Sequence, residues 1–338
     1  MIPLTSKELI KRMFTSAELP RIPFIPLIFS HASRLEQIPL RRMLTDPGQL
    51  AKSLQNAQRL YGHDVIICPF DLSLEAEASG CEIKWENDHQ FPSLSSHLSW
   101  EADIDGIDFS DLDQKGRMPV VLEAFRRLKI VVGKEVPIAA VISGPLTLAE
   151  RLSNSDIAMG FERNPQRMEK FVNFAARISL AVCKAFCEIE PDIIIIVDDQ
   201  LQRLRPQYFS VAYSLFKPIL NTIRFYNAYS ILITKIDEEE NLDAMLSLNV
   251  DGIILNTEKL DVFQLIRQLV GKASMSVGIA IPYEILTSSK GEITQFLGKC
   301  LEGGVNRGVF LTTEWEVPLE IEPEKIHQLM SCVSACRF

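Results

Sequence analysis

The chemistry-bearing side chains of this sequence stand where apolar runs stop. Val65 to Phe70 is apolar enough to lie inside a parallel sheet, so Asp71 emerges where the sheet ends and solvent or a ligand begins. Catalytic groups of α/β proteins sit at such strand ends. Partial desolvation there suits a carboxylate to general acid-base work or to accepting N–H donors. The same aspartate equally suits the cap of a helix over Leu72–Ala78. Asp198 and Asp199 close another run and have the look of a strand-end acid pair, or of partners for Arg203 or Arg205. His31 and Arg34 follow the first run at a spacing that sets both over a ligand, or in an exposed loop. Lys235 and Glu314 end two later runs and complete the candidate polar groups.

Other chemistries lack their residues. The five histidines are scattered, without a His-x-Cys or His-x3-His pair. Cys183 with Cys187, and Cys332 with Cys336, lie four apart in helical segments among Ala, Phe and Val, as buried small hydrophobes do. No metal site is expected. There is no Gly-x-Ser-x-Gly elbow, and Gly303-Gly304 reads as the end of a helix rather than a phosphate loop. Carboxylate chemistry is what remains.

Eight short apolar runs must position these groups: Phe24–Phe29, Val65–Phe70, Pro137–Ile142, Asp192–Val197, Tyr229–Thr234, Gly252–Leu255, Met275–Ala280 and Gly308–Leu311. Helical periodicity fills most of the intervals. Asp46-Pro47 opens one helix and Gly62 ends it; Asn164-Pro165 opens a longer one carrying Met168, Phe171, Val172, Ala175, Ile178 and Val182. Further helices are expected near Pro206 to Ile223 and over 259–271, 291–302 and 323–336. Eightfold alternation without a domain linker predicts one (β/α)8 TIM barrel spanning residues 1–338, rather than a doubly wound sheet. About 65 residues separate the second and third runs where about 30 is usual. Residues 72–118 are therefore an expected active-site excursion, adding strands or a lid around Glu82 to Trp85 and Phe91-Pro92 before a returning helix over Pro119 to Val131. The strand ends would form one polar ring: Ser30 and His31, Asp71, Ser143 and Gly144, Asp198 and Asp199, Lys235 and Asp237, Asn256, Tyr283 and Glu284, Thr313 and Glu314.

Composition narrows the partners. With 338 residues, 47% hydrophobic and 23% charged, the chain is globular. A net charge of -9 without a basic stripe disfavours nucleic acid. Charged residues from Lys7 to Glu18 exclude a signal-peptide core, and no run approaches the roughly 20 apolar residues that span a bilayer. Seven cysteines, an odd number, suit reduced thiols in a cytoplasm.

The order of several motifs resembles the uroporphyrinogen decarboxylase superfamily, including its cobalamin-dependent methyltransferase branch. They are Asp46-Pro47, Tyr61-Gly62-His63-Asp64, Pro69-Phe70-Asp71, Glu75-Ala76-Glu77, Gly80-Cys81-Glu82-Ile83 and Ser143-Gly144-Pro145-Leu146-Thr147-Leu148-Ala149. Leu204-Arg205-Pro206 and the stretch from Leu301 to Gly304 continue the pattern. The resemblance implies a (β/α)8 barrel and assigns Asp71 the aspartate that receives pyrrole N–H groups in the decarboxylases. Ser30-His31-Ala32-Ser33-Arg34 stands for an arginine-rich motif of which Arg34 persists, Arg151 stands where a tyrosine is usual, and Glu314 near a usual histidine. In the methyltransferases, zinc binds a His-x-Cys pair after the fifth strand and a cysteine after the eighth; here those places look like Ile233, Lys235 and the neighbourhood of Glu314. The expected activity is transfer of a methyl group between a corrinoid, free as methylcobalamin or on a partner protein, and an acceptor, without the usual zinc. Porphyrinogen decarboxylation and a non-catalytic tetrapyrrole-binding or partner-binding role are the alternatives. A tetrapyrrole-type ligand is expected over the mouth, with Asp71 catalytic and His31, Arg34, Asp198, Lys235 and Glu314 as contacts; a homodimer stays open.

Overall fold

The structure, a computed structural model, describes residues 4–101, 104, 111–236, 242–257, 260–270, 275–301 and 307–335. All eight runs supply strands, here numbered β1 (Phe24–Ile25), β2 (Ile66–Ile67), β3 (Ile138–Ser143), β4 (Ile193–Val197), β5 (Tyr229–Lys235), β6 (Gly252–Asn256), β7 (Ser276–Ile281) and β8 (Val309–Thr313). They form one parallel sheet in the order β1-β8-β7-β6-β5-β4-β3-β2, the nearly closed wall of a (β/α)8 TIM barrel. Each residue of β3, β4 and β6 is buried, which is why these strands read as unbroken apolar runs instead of alternating ones.

The first two strands are much shorter than their runs, and proline is the reason. Pro26 and Pro69 have no N–H to give to a ladder, so pairing stops at Ile25 in one strand and just past Ile67 in the other. Between β1 and β2 the wall is closed by a side chain. Asp64 gives its backbone N–H to the Phe24 carbonyl (2.9 Å), and its carboxylate accepts the Phe24 N–H (2.9 Å) in return. Arg21 grips the same carboxylate through both terminal nitrogens at 2.7 Å, and Ser6 Oγ adds a bond of 2.7 Å.

The helices follow their sequence signals. The Pro47–Tyr61 helix has the Asp46 carboxylate on the N–H groups of Gly48 and Gln49 and ends at Gly62 in the left-handed region. Asn164 caps the Pro165–Cys187 helix through the Arg167 N–H, burying the predicted face against the barrel. The segment from Pro206 opens with a 3-10 turn before the helix Phe209–Phe225. The 72–118 region carries the predicted strands as an antiparallel hairpin, Ile83–Lys84 with Ser93–Leu94, and returns through the helix Met118–Val131. Asp237 and the Gly303-Gly304 pair lie outside the described residues. Among the described residues no helix is long and apolar enough to cross a membrane.

The seam should be worth more than any surface ion pair. Asp64→Ala leaves the Phe24 N–H and the Arg21 guanidinium without their buried acceptor, an expected loss of about 3 kcal/mol by urea denaturation. Glu188→Gln, which removes an exposed pair with Lys184, should change stability by about 0.5 kcal/mol or less.

Candidate active site at the barrel mouth

The loops following β1, β2 and β8 meet the tip of the hairpin excursion around a cavity of about 400 Å³. Its polar wall comes from Ser30, Asp71, Ser73, Arg151 and Glu316, with the exposed His89 and Gln90 at the rim. Phe70, Leu40, Phe91, Pro92 and Leu319 provide the apolar part, and Trp315 stands edge-on to Phe70 with ring centroids 5.3 Å apart. Phe91 stacks on Phe29, which docks the hairpin's connecting loop against the exit of β1.

Asp71 is where the sequence placed it, at the cavity wall and 6% exposed. Its carboxylate does more than cap a turn. One oxygen accepts from the Ser73 N–H (3.0 Å) and Oγ (2.6 Å), and the other takes Arg117 Nη1 at 2.6 Å. Arg117 spreads its remaining donors over Glu77 (Nε, 2.8 Å) and Ser73 Oγ (2.9 Å), and lies over the Trp85 ring at 5.5 Å. Burial opposes the guanidinium's charge, but Asp71 and Glu77 outweigh it and push its pKa up. The two chain ends of the excursion are thus tied by one buried fork.

Three further carboxylates were not singled out from the sequence as buried, or were given other partners. Glu316, after β8, accepts from the Ser30 N–H (2.6 Å), Ser30 Oγ (3.0 Å) and the Phe29 N–H (3.2 Å), finishing the exit of β1. Burial pushes its pKa up to about 8 against those donors. Glu75, in the short Leu74–Ala78 helix, accepts from the Ser143 N–H (2.6 Å) and Oγ (3.2 Å); burial raises its pKa as well. Asp198 takes neither Arg203 nor Arg205, which pair with Asp156 and Glu162. It instead accepts the N–H groups of Leu146 (3.0 Å) and Thr147 (3.2 Å) at the start of the Pro145–Ser153 helix, and burial pushes its pKa up to about 7. A Cβ at Gly144 would sit 2.4 Å from that carboxylate, so only glycine fits there.

The other sequence candidates lie apart from the cavity wall. His31 is fully buried behind Ser30, bonded through Nε2 to the Tyr61 hydroxyl (2.9 Å), and burial lowers its pKa to about 4, so the ring is neutral. Arg34 pairs with Glu322 at 2.6 Å. Lys235 ends β5 half-buried, and its charge opposes the burial that raises the Asp199 pKa. Glu314 is half-buried, giving its N–H to Ile281 and accepting Asn256 Nδ2 (2.8 Å) at its backbone carbonyl. Of the six predicted residues, Asp71 is therefore the one that lines this cavity. Local sequence carries little warning of Glu75 or Glu316, because each is buried by a strand end far along the chain. Among the described residues no group of three or more His, Cys, Asp or Glu side chains is arranged to hold a metal ion.

The fold and the mouth define a parallel (β/α)8 barrel built around a ligand-sized cavity at its C-terminal end. Within that class, the chain belongs to the uroporphyrinogen decarboxylase (URO-D) family, whose sequence profile matches residues 5–336. It is 26% identical over 264 residues to the methylcobamide:CoM methyltransferase MtbA of Methanosarcina mazei, covering 76% of this chain and 73% of that protein. The methylcobamide:CoM methyltransferase MtaA of Methanosarcina barkeri is 27% identical over 270 residues, 78% of each chain. A solved methyltransferase structure from Methanosarcina mazei has a TM-score of 0.85 over 98% of this chain and 99% of its own, at 21% identity. A B12-independent methionine synthase from Shewanella sp. W3-18-1 shares the fold more distantly, with a TM-score of 0.53, 15% identity, and coverage of 84% and 85%.

The raised carboxylates set the sign of the pH dependence. In the unfolded chain these acids lose their protons near pH 4 to 5, whereas folded Asp198 and Glu316 hold theirs to about 7 and about 8. Burial lowers the pKa of His31 and His63 to about 4, so below about pH 6.5 the histidine protons of the unfolded chain offset these carboxyl protons; from about 6.5 to 8.5 the folded state binds more protons, and stability falls. Urea midpoints at the two pH values should show this decline, and Glu316→Gln should flatten it while keeping an acceptor for the Ser30 N–H. An unchanged slope in the variant would assign the decline elsewhere.

Proposed function

We propose that this chain transfers a methyl group between a methylcobamide-type corrinoid and a small nucleophilic acceptor held in the mouth cavity, without the zinc ligands of its methyltransferase relatives. The observation that carries this reading is the match to two methylcobamide:CoM methyltransferases across about three quarters of this chain and of theirs. The cavity supports it by its size, which suits a small molecule and leaves a planar tetrapyrrole to lie across the opening.

At the places where the resemblance puts zinc ligands, the chain offers a fully buried hydrocarbon, Ile233, and a cation, Lys235, with Glu314 after β8. That donor set does not fit a zinc ion. The acceptor must then be deprotonated by the protein or arrive ionised. In the transfer, the methyl group leaves cobalt without the electrons of the cobalt-carbon bond, and a lone pair on the acceptor forms the new bond. A proton released by the acceptor goes to Glu316 in its ionised form, the minor one near neutral pH because burial pushes its pKa up to about 8, and leaves from there to solvent at the cavity opening. Asp71, held by Arg117 and Ser73, acts as a fixed hydrogen-bond acceptor on the wall. His31, Arg34, Asp198, Lys235 and Glu314 support the mouth from outside this cavity.

The test is to mix metal-analysed protein with methylcobalamin and either a thiol or tetrahydrofolate, and to follow the cobalamin spectrum. Loss of the methylcobalamin spectrum with formation of methylated acceptor, in protein free of stoichiometric zinc, is the expected result. No change with any acceptor, together with no decarboxylation of uroporphyrinogen, would overturn the transfer reading in favour of a binding role. Tightly bound zinc would overturn the ligand comparison.

A further inference from the structure

Three side-chain atoms near the C-terminal ends of the strands are shielded from solvent and have no hydrogen-bond partner among the described residues: Asp199 Oδ1, Asn256 Oδ1 and Arg151 Nε. They share one stretch of the rim. Val197 of β4 pairs with Ile233 of β5, and Lys235 pairs with Asn256 of β6, so Asp199, Lys235 and Asn256 stand level on three consecutive staves. Asp199 lies in the field of both Lys235 and Arg151, which places Arg151 beside the same arc. With about 4.8 Å between neighbouring strands, the three staves cover about 10 Å of the mouth. Polar atoms left unpaired out of water cost free energy, and folded proteins normally give them a partner.

The missing partner must donate more than it accepts. Asn256 spends its Nδ2 on the Glu314 carbonyl at 2.8 Å, so the end it has left is an oxygen. The mouth cations, by contrast, have acids already. Arg117 bonds Asp71 and Glu77, Arg34 bonds Glu322, and Arg151 has Asp199 and Glu150 in its field. A carboxylate arriving at this arc serves Arg151 Nε at most, leaves both oxygens unpaired and meets Asp199 as a like charge. A carboxamide brings both kinds of group: its NH2 suits Asp199 and Asn256, and its carbonyl suits Arg151.

We propose that this arc selects the macrocycle by its edge: Asp199 and Asn256 accept from the carboxamide side arms of a corrinoid, Arg151 donates to the carbonyl of an arm, and a tetrapyrrole edged with carboxylates is turned away. A corrinoid carries acetamide and propionamide arms where a uroporphyrinogen carries the corresponding acids, so the two macrocycles differ at these contacts. The choice of a corrinoid rests on the methyl-transfer reading; the preference for amide over acid involves no transfer and is read by binding alone. The contacts leave the hydrocarbon side of the cavity, formed by Leu40, Phe70 and Phe91, open to the methyl acceptor.

The experiment titrates the full chain by calorimetry with dicyanocobinamide and with dicyanocobyrinic acid, its fully carboxylate counterpart, and follows the corrin absorption as a second readout. Cyanide on both faces of cobalt leaves the edge as the difference between the probes. The amide-edged corrinoid should bind about 10-fold or more tightly than the acid. Asn256→Leu should weaken the amide by about 5-fold or more and leave the acid within about 2-fold, while Asn256→Asp, which retains an acceptor, keeps the preference. Asp199→Asn should instead tighten the acid, by about 3-fold or more, and leave the amide within about 2-fold. Thermal melts establish that the variants fold. Acid binding as tight as amide binding, no binding of either at millimolar concentration, or the full preference persisting in both Asn256→Leu and Asp199→Asn would overturn the proposal. A failed transfer assay beside an intact preference counts against the methyl-transfer reading alone, and transfer without the preference counts against this proposal alone.

Discussion

Backbone N–H groups at the ends of short parallel strands must find acceptors when the loops above them are buried, and in this barrel the acceptors are carboxylates from the next strand round. At the N-terminal rim Asp64 serves Phe24, Asp192 serves Ile138 and Asp251 serves Ser230. At the C-terminal rim Glu316 serves Ser30, Glu75 serves Ser143, and Asp198 serves Leu146 and Thr147. Each of these bonds joins two neighbouring staves beyond the point where ladder pairing ends. The two-residue strands β1 and β2 depend on them most, since the prolines that shorten their ladders also remove donors from the wall.

The same device gives the mouth its electrical character. Burial raises the pKa of Glu316 on the cavity wall and of Glu75 and Asp198 behind it, and the Asp71–Arg117 pair largely cancels, which leaves Arg151 and the exposed Glu320 as charges of the described lining. Hydrocarbon from Phe70, Leu40 and Phe91 excludes water and strengthens every interaction that the polar groups make.

The strands were legible because burial on both faces writes itself as runs of Ile, Val and Leu, and the helices because Asp46-Pro47, Asn164-Pro165 and Gly62 are local signals with local causes. The length of the 72–118 region announced an excursion with strands or a lid, but not that its two short strands pair as an antiparallel hairpin. Asp71 was legible by the same logic of a run that ends. What could not be read was partnership over distance. Arg117 meets Asp71 across 46 residues, Glu75 meets Ser143 across 68, and Glu316 meets Ser30 across 286. Nothing near Glu75 separates it from the less buried Glu77 two residues on. His31 shows the converse: its place after the first strand suggested a ligand contact, and its burial against Tyr61 depends on a helix the local pattern does not mention.

The fork at Arg117 isolates the excursion at its root. Asp71 at one end and Arg117 at the other are fixed to each other, and Glu77 and Trp85 are gathered onto the same guanidinium, so whatever lies farther out hangs from a closed base. Farther out the excursion meets the barrel again where Phe91 stacks on Phe29 and the Leu98 N–H reaches the Leu152 carbonyl (2.6 Å), so insertions, deletions or replacements that keep these seats need not disturb the staves beneath. A barrel organised this way can exchange the cover of its mouth as a cassette, and divergence in what different descendants admit can accumulate there while the wall that folds them stays the same.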